Sequence, residues 1–368
     1  MGFETIKDQD VAVRMLRTAL SKRRLAHGYL FEGPESVGKQ LTAVTFAKAV
    51  NCEELSDDSC DMCASCLRTD DGKHPDVTVI EPVKAGRIIH VKAMSELIEH
   101  AVLKPYRGKY RVAIIVAAER MNASAANKFL KTLEEPPGNS LFVLVSDSPD
   151  QLPATITSRC QRVKFHPLTA HTIEALLVRE RSLTPERARV ISVLAQGQVG
   201  KAFELADSEK REFVTKLVAD LTERRDPLLI AQAFLARLKA ERDQLKGSLK
   251  SDEPPSETDS EELAERREAY YAGLFRKEVL SYLDLLRAWY RDMLVFSGTG
   301  VNDHLWNLDL AGVVAQQARH YAASDIEAKL EELERAEMLL ESNVKEDRVF
   351  RELFYWLAES RARSAHLR

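Results

Sequence analysis

Two groups of residues near the start of this 368-residue chain have the types and spacing to do chemistry. The run Gly33-Pro34-Glu35-Ser36-Val37-Gly38-Lys39-Gln40 fits G-x-x-x-x-G-K. In such a loop the glycines let backbone N–H groups cradle phosphates at a helix N-terminus, and the lysine reaches the β- and γ-phosphates. The next position normally carries a Ser or Thr whose hydroxyl ligates Mg²⁺; Gln40 has a larger amide, a poor member of a tight octahedral shell. Gly33, Gly38 and Lys39 are therefore candidate phosphate-binding residues, with metal-dependent hydrolysis disfavoured and nucleotide binding without turnover left open. Cys52, Cys60, Cys63 and Cys66 follow as C-x7-C-x2-C-x2-C. Four thiolates complete a tetrahedral site with no position open for substrate, so the Zn²⁺ they imply is structural; the alternative is a set of free or oxidisable thiols. His74 and His90 could also ligate zinc, but the cysteines already supply four ligands.

The flanking pattern supplies elements able to hold these groups. A helical stretch over 5–25 leads through His27-Gly28 to the apolar Tyr29-Leu30-Phe31, a strand that ends just before Gly33. Helical LTAVTFAKAV follows the loop. Further on, Val77 to Ile80 reads as a strand, and Ile88 to Leu103 as a helix with Val91, Met94, Leu97, Ile98 and Val102 on one face. The runs Val112 to Ala117 and Leu141 to Val145 are short and continuously apolar, as in strands buried on both faces of a parallel sheet. Between them Ala125, Phe129, Leu130 and Leu133 mark a helix face, and Glu134-Glu135-Pro136-Pro137-Gly138 ends that helix because proline biases its predecessor away from the helical region. From Leu168 the pattern is helical without strands: 169–180, 185–194, a third helix led by Gly197-Gln198-Val199-Gly200, then 209–245 and 263–368. Lys246 to Glu262 is Ser/Asp/Glu/Pro-rich and predicts a disordered acidic loop.

Length predicts two or three domains. Apolar residues make 45% and charged residues 30%, as in a soluble, helix-rich protein. The net charge of −4 argues against a surface given over to nucleic acid, so any DNA contact must be local or shared with partners. No apolar run approaches the ~20 residues that span a bilayer, and the first residues lack a signal-peptide pattern, which predicts a cytoplasmic location.

Ala126-Asn127 with Leu130-Lys131-Thr132-Leu133-Glu134-Glu135-Pro136-Pro137, and then Ser158-Arg159-Cys160, resembles the bacterial clamp-loader family of AAA+ proteins over roughly residues 3–205. The resemblance implies an α/β AAA+ P-loop core with helices on both faces of a parallel sheet, over 1–166, with a zinc loop at 52–66. It also implies a helical lid over 167–207 and an all-α collar over 208–368, with the disordered loop 246–262 inside it. In ATPase members of the family the strand matching Ala113 to Ala117 ends in an Asp-Glu pair that holds Mg²⁺ and polarises water; Val116 and Ala117 can do neither. Ser146 falls at a polar nucleotide sensor, and Gly200, beside Lys201, replaces a sensor arginine of the lid. Arg159 matches the arginine that reaches a neighbouring subunit's nucleotide site, an arginine finger in trans.

The implied role is a subunit without ATPase activity in a hetero-oligomeric ring with gamma/tau motor and delta subunits. Through that ring it would act on the sliding clamp and primer-template DNA as part of the DNA polymerase III holoenzyme. One alternative is a gamma/tau-type motor ATPase, against which Gln40, Val116 and Ala117 speak. Another is a zinc module that binds DNA directly, against which stands the lack of a basic, aromatic-interleaved patch near Cys52 to Cys66.

Overall fold

A computed structural model describes residues 2–82, 88–250, 261–342 and 344–359. Two compact units form, one from Met1–Ile173 with Gln196–Lys201, the other from Glu174–Ala195 with Ala202–Arg368.

In the first unit the order is α1 (Asp10–Ser21), β1 (Gly28–Glu32), α2 (Lys39–Asn51), α3 (Ala64–Asp70), β2 (Val77–Ile80), α4 (Val91–Val102), β3 (Arg111–Ile115), α5 (Ala123–Glu134), β4 (Ser140–Ser146), α6 (Ala154–Thr157) and β5 (Gln161–Lys164). The sheet is parallel throughout, in the order β2-β3-β4-β1-β5. Side chains alternate between its faces. Leu30, Ala113, Ile115, Phe142 and Leu144 join Met94 and Leu97 of α4 and Phe129 and Leu133 of α5 in one buried cluster. Tyr29 and Phe31 meet Phe46 of α2, with ring centroids 5.1 and 6.4 Å apart. The α4 face is narrower than the sequence predicts: Met94, Leu97 and Ala101 are buried, whereas Val91 and Val102, at the helix ends, are exposed.

Strand β5 was not evident in the sequence because only Val163 of Gln161-Arg162-Val163-Lys164 is buried. Its pairing with β1 defines it, together with Arg162, which reaches Glu32 at 2.6 Å. Asp76, at the entry to β2, is fully buried and accepts hydrogen bonds from the backbone N–H groups of Tyr106 (2.7 Å), Arg107 (2.8 Å) and Gly108 (2.7 Å). It thereby fixes the loop that enters β3. Burial opposes its charge, but these donors and Arg111 hold its carboxyl below the usual carboxylate range.

The chain continues through α7 (Ala170–Arg181), α8 (Pro185–Leu194), α9 (Val199–Asp207), α10 (Lys210–Thr222), α11 (Pro227–Lys250), α12 (Glu261–Thr299), α13 (Ala311–Ala318), α14 (Ala323–Glu341) and α15 (Glu346–Ala358). In α12, Val279, Leu283, Leu286, Trp289, Tyr290 and Met293 are buried and form core. Phe234 of α11 is central to the helical unit, within 4.5 to 6.2 Å of the rings of Phe213, Tyr282, Phe350 and Phe354. The predicted loop 246–262 is shorter at both ends, since α11 runs to Lys250 and α12 starts at Glu261; residues 251–260 lie outside the described residues. A lone Gly247 costs a helix only ~1 kcal/mol, too little to stop α11.

Candidate functional site

The phosphate loop leaves β1 at Gly33, whose φ of +147° only glycine adopts readily; a Cβ there would stand 2.4 Å from the carbonyl oxygen of Phe165. Gly38, at φ +95°, caps α2, and Lys39 is the first residue of that helix. The sequence-predicted strand, glycine loop and helix are thus in place. Lys39 is 4% exposed and fully engaged within the chain. Its Nζ donates to the carbonyl oxygens of Gly33 (2.6 Å) and Pro34, and pairs with Asp147 Oδ1 at 2.7 Å.

Gln40, where a metal-ligating hydroxyl would stand, donates from Nε2 to Glu81 Oε1 at 2.7 Å. Val116 and Ala117 follow β3, and the Val116 N–H donates to Ile80 O at the end of β2. Ser146 pairs in register with Glu32 and is fully buried, its Oγ accepting from the Ser148 N–H at 3.2 Å. Gly200 lies against the loop: a Cβ there would meet Ser36 Oγ at 2.5 Å, and the neighbouring Val199 N–H donates to Ser36 O at 3.1 Å. The structure therefore gathers Gly33, Gly38, Lys39, Gln40, Ser146 and Gly200 around one loop. Asp147 and Glu81 are additions that sequence reasoning missed; the only signal for Asp147 was its place one residue after Ser146.

Arg159 is elsewhere. Strand β5 begins at Gln161, level with Tyr29 near the start of β1, so Arg159 stands at the N-terminal end of the strands, opposite the end from which the phosphate loop leaves. A strand of this length separates them by ~16 Å. Its side chain is 37% exposed, and the guanidinium is held at two points, by Glu134 Oε1 (2.8 Å) and Thr155 O (3.0 Å). The adjacent Cys160 is buried against the core, and burial pushes its thiol up to about 12, which keeps it inert as a nucleophile.

Cys52 caps the C-terminal end of α2 and Cys63 the N-terminal end of α3. With Cys60 and Cys66 they bring four Sγ atoms within 4.8 Å of one another. Tetrahedral Zn–S bonds of ~2.3 Å demand S···S distances of ~3.8 Å, so a small contraction suffices. The chemistry of the donors fits as well. Backbone N–H groups of Leu55, Cys63 and Cys66 donate to Cys52, Cys60 and Cys63 sulfurs at 3.2 to 3.4 Å. N–H groups of Met62 and Cys63 draw the Cys60 thiol down to about 7, toward the thiolate a metal requires. Lys48 of α2, buried, ties this loop to the helix through Asp61 (2.6 Å) and Asp70 (2.7 Å). His74 is not a ligand: its Nδ1 accepts from the Asp76 N–H and its Nε2 faces Ser65 Oγ, both at 3.0 Å, and burial lowers its pKa.

The strand order β2-β3-β4-β1-β5 with a glycine loop after β1 and a helical C-terminal region defines an AAA+ P-loop protein. Residues 8–169 match the family model described as DNA polymerase III, delta subunit. The chain is 35% identical over 225 residues to the DNA polymerase III subunit delta' of Bacillus subtilis, covering 59% of this chain and 66% of that one. It is 33% identical over 242 residues to subunit tau of the same organism, covering 63% and 41%. With the delta' subunit of Pseudomonas aeruginosa it shares 36% over 171 residues, covering 46% and 51%. The matches thus span from two fifths to just under two thirds of these relatives' lengths. The chain belongs to the clamp-loader family of DNA polymerase III subunits. Among the described residues no helix is long and apolar enough to cross a membrane.

Proposed function

We propose that this chain acts as the delta-prime, or stator, subunit of a cytoplasmic DNA polymerase III clamp loader. In that role it performs no ATP hydrolysis of its own and supplies Arg159 in trans to an adjacent motor subunit. What carries the reading is the place of Arg159, at the opposite end of the strands from this chain's own loop, exposed and held by Glu134 and Thr155. A guanidinium so placed is out of reach of its own loop but on a surface that a neighbour's can approach, where it would neutralise charge developing on a transferred phosphoryl group. Gln40, Val116 and Ala117 support the absence of turnover, since none can ligate Mg²⁺ or polarise water.

The reading includes a core over 1–166, a lid over 167–207 and a collar over 208–368 through which the ring assembles with gamma/tau and delta subunits on the clamp and primed DNA. Zn²⁺ would be held by Cys52, Cys60, Cys63 and Cys66, where it would crosslink the end of α2 to α3. The match to tau favours a motor ATPase as the second reading.

ATPase assays separate the two. The chain alone should be inert. When combined with its motor subunits and DNA, Arg159→Ala should lower the stimulated rate without dissociating the complex; such fingers contribute ~10³ to 10⁵ at the site they serve. Hydrolysis by the isolated chain that depends on Lys39 would establish the motor reading instead.

A further inference from the structure

We propose that Asp147 is an internal anion that takes the place of a nucleotide phosphate on Lys39, and that this carboxylate keeps the loop closed to polyphosphate ligands. The proposal rests on the reading that this chain does not turn over ATP, and gives that reading a cause beyond the missing metal ligands.

A phosphate-loop lysine has three N–H donors, and in a binding-competent loop at least one must be free to reach a phosphate oxygen. Here all three have partners: two loop carbonyls, of Gly33 and Pro34, and the Asp147 carboxylate. Lys39 is 4% exposed, so its charge is compensated within the protein rather than by water. The neighbouring subsite is filled in the complementary sense. Where Mg²⁺ would sit against a hydroxyl, the Gln40 amide donates to the Glu81 carboxylate. A donor thus stands in for the cation and a carboxylate for the phosphate. The loop backbone is fixed as well, since Ser36 is bonded through its carbonyl to Val199 and covered by Gly200. The charge that a bound phosphate would balance on Lys39 is already balanced by Asp147.

The measurement is calorimetric titration of the full chain with inorganic tripolyphosphate in the absence of divalent metal. Wild type should bind weakly or not at all. Asp147→Asn removes the competing charge, leaves a hydrogen-bonding group of the same shape, and should bind about ten- to a hundred-fold more tightly than wild type. The Lys39→Met/Asp147→Asn double variant should lose that gain, which separates the loop from any general increase in positive charge. An Asp147→Asn protein that folds and binds no better than wild type overturns the proposal, as does a gain that survives Lys39→Met. If Asp147→Asn fails to fold, the double variant should restore folding, because removing both partners of the pair leaves no uncompensated charge. A double variant equally unfolded overturns the proposal. ATPase of the wild-type chain, measured in parallel, tests the underlying reading separately.

Discussion

Asp76→Asn should weaken the first unit far more than an isosteric change ordinarily does. The buried carboxylate divides its work: Oδ1 accepts from Tyr106, and Oδ2 from Arg107 and Gly108. An asparagine can present its single oxygen to the latter two N–H groups, but its NH₂ then faces the Tyr106 N–H, donor against donor. Losing one bond to a charged acceptor costs about 1.5 to 3 kcal/mol. Reducing the other two from charged to neutral acceptors costs roughly 0.5 to 1.5 kcal/mol each, so a total of about 2.5 to 6 kcal/mol follows. Thermal unfolding of the purified chain at pH 7 should show the loss, and amide hydrogen exchange should localise it to Tyr106, Arg107 and Gly108. The carboxyl's folded pKa lies below its unfolded value, so its contribution is present above about 3.9 and is lost as pH falls through the folded value. The gap between wild type and variant should therefore close on acidification. A variant that unfolds within a degree of wild type at pH 7, or a gap that persists unchanged at low pH, would refute the assignment of the loop's order to this side chain.

Two further outcomes are expected. Elemental analysis should find one zinc per chain, reduced by Cys66→Ser; undiminished metal in the variant would place the zinc elsewhere. His74 is held neutral, with its folded pKa below the unfolded 6.5, so its contribution is present above about 6.5 and lost as pH falls toward the folded value. His74→Gln should flatten the stability profile between pH 7 and 5, and an unchanged slope would show that another group sets it.

The fold was legible where burial was two-sided. Strands β1, β3 and β4 are continuous apolar runs because both faces of the sheet are covered, and the glycine loop and the cysteine spacing announce themselves by rare residues at fixed intervals. Strand β5 was not legible, because Gln161, Arg162 and Lys164 are exposed and only its partner strand makes it a strand. The site was half legible. Missing ligands at 40, 116 and 117 could be read from residue type alone, but the substitutes could not: Asp147 and Glu81 are ordinary carboxylates in sequence, and acquire meaning only where the ends of β4 and β2 bring them beside the loop. The same holds for Asp76, whose partners lie thirty residues further on.

Helix α2 begins at Lys39 and ends at the Cys52 cap, and ten of its thirteen residues are buried, on every side. A surface helix can be rewritten freely along its wet face, but this one has almost none, so changes at either end must be absorbed by the core. Its first turn must start where the loop delivers it, and its last must meet the cysteine cluster. The glycine loop then has a reason to persist that does not depend on phosphate chemistry: it is the bend that seats a buried axle, and packing depends on its shape.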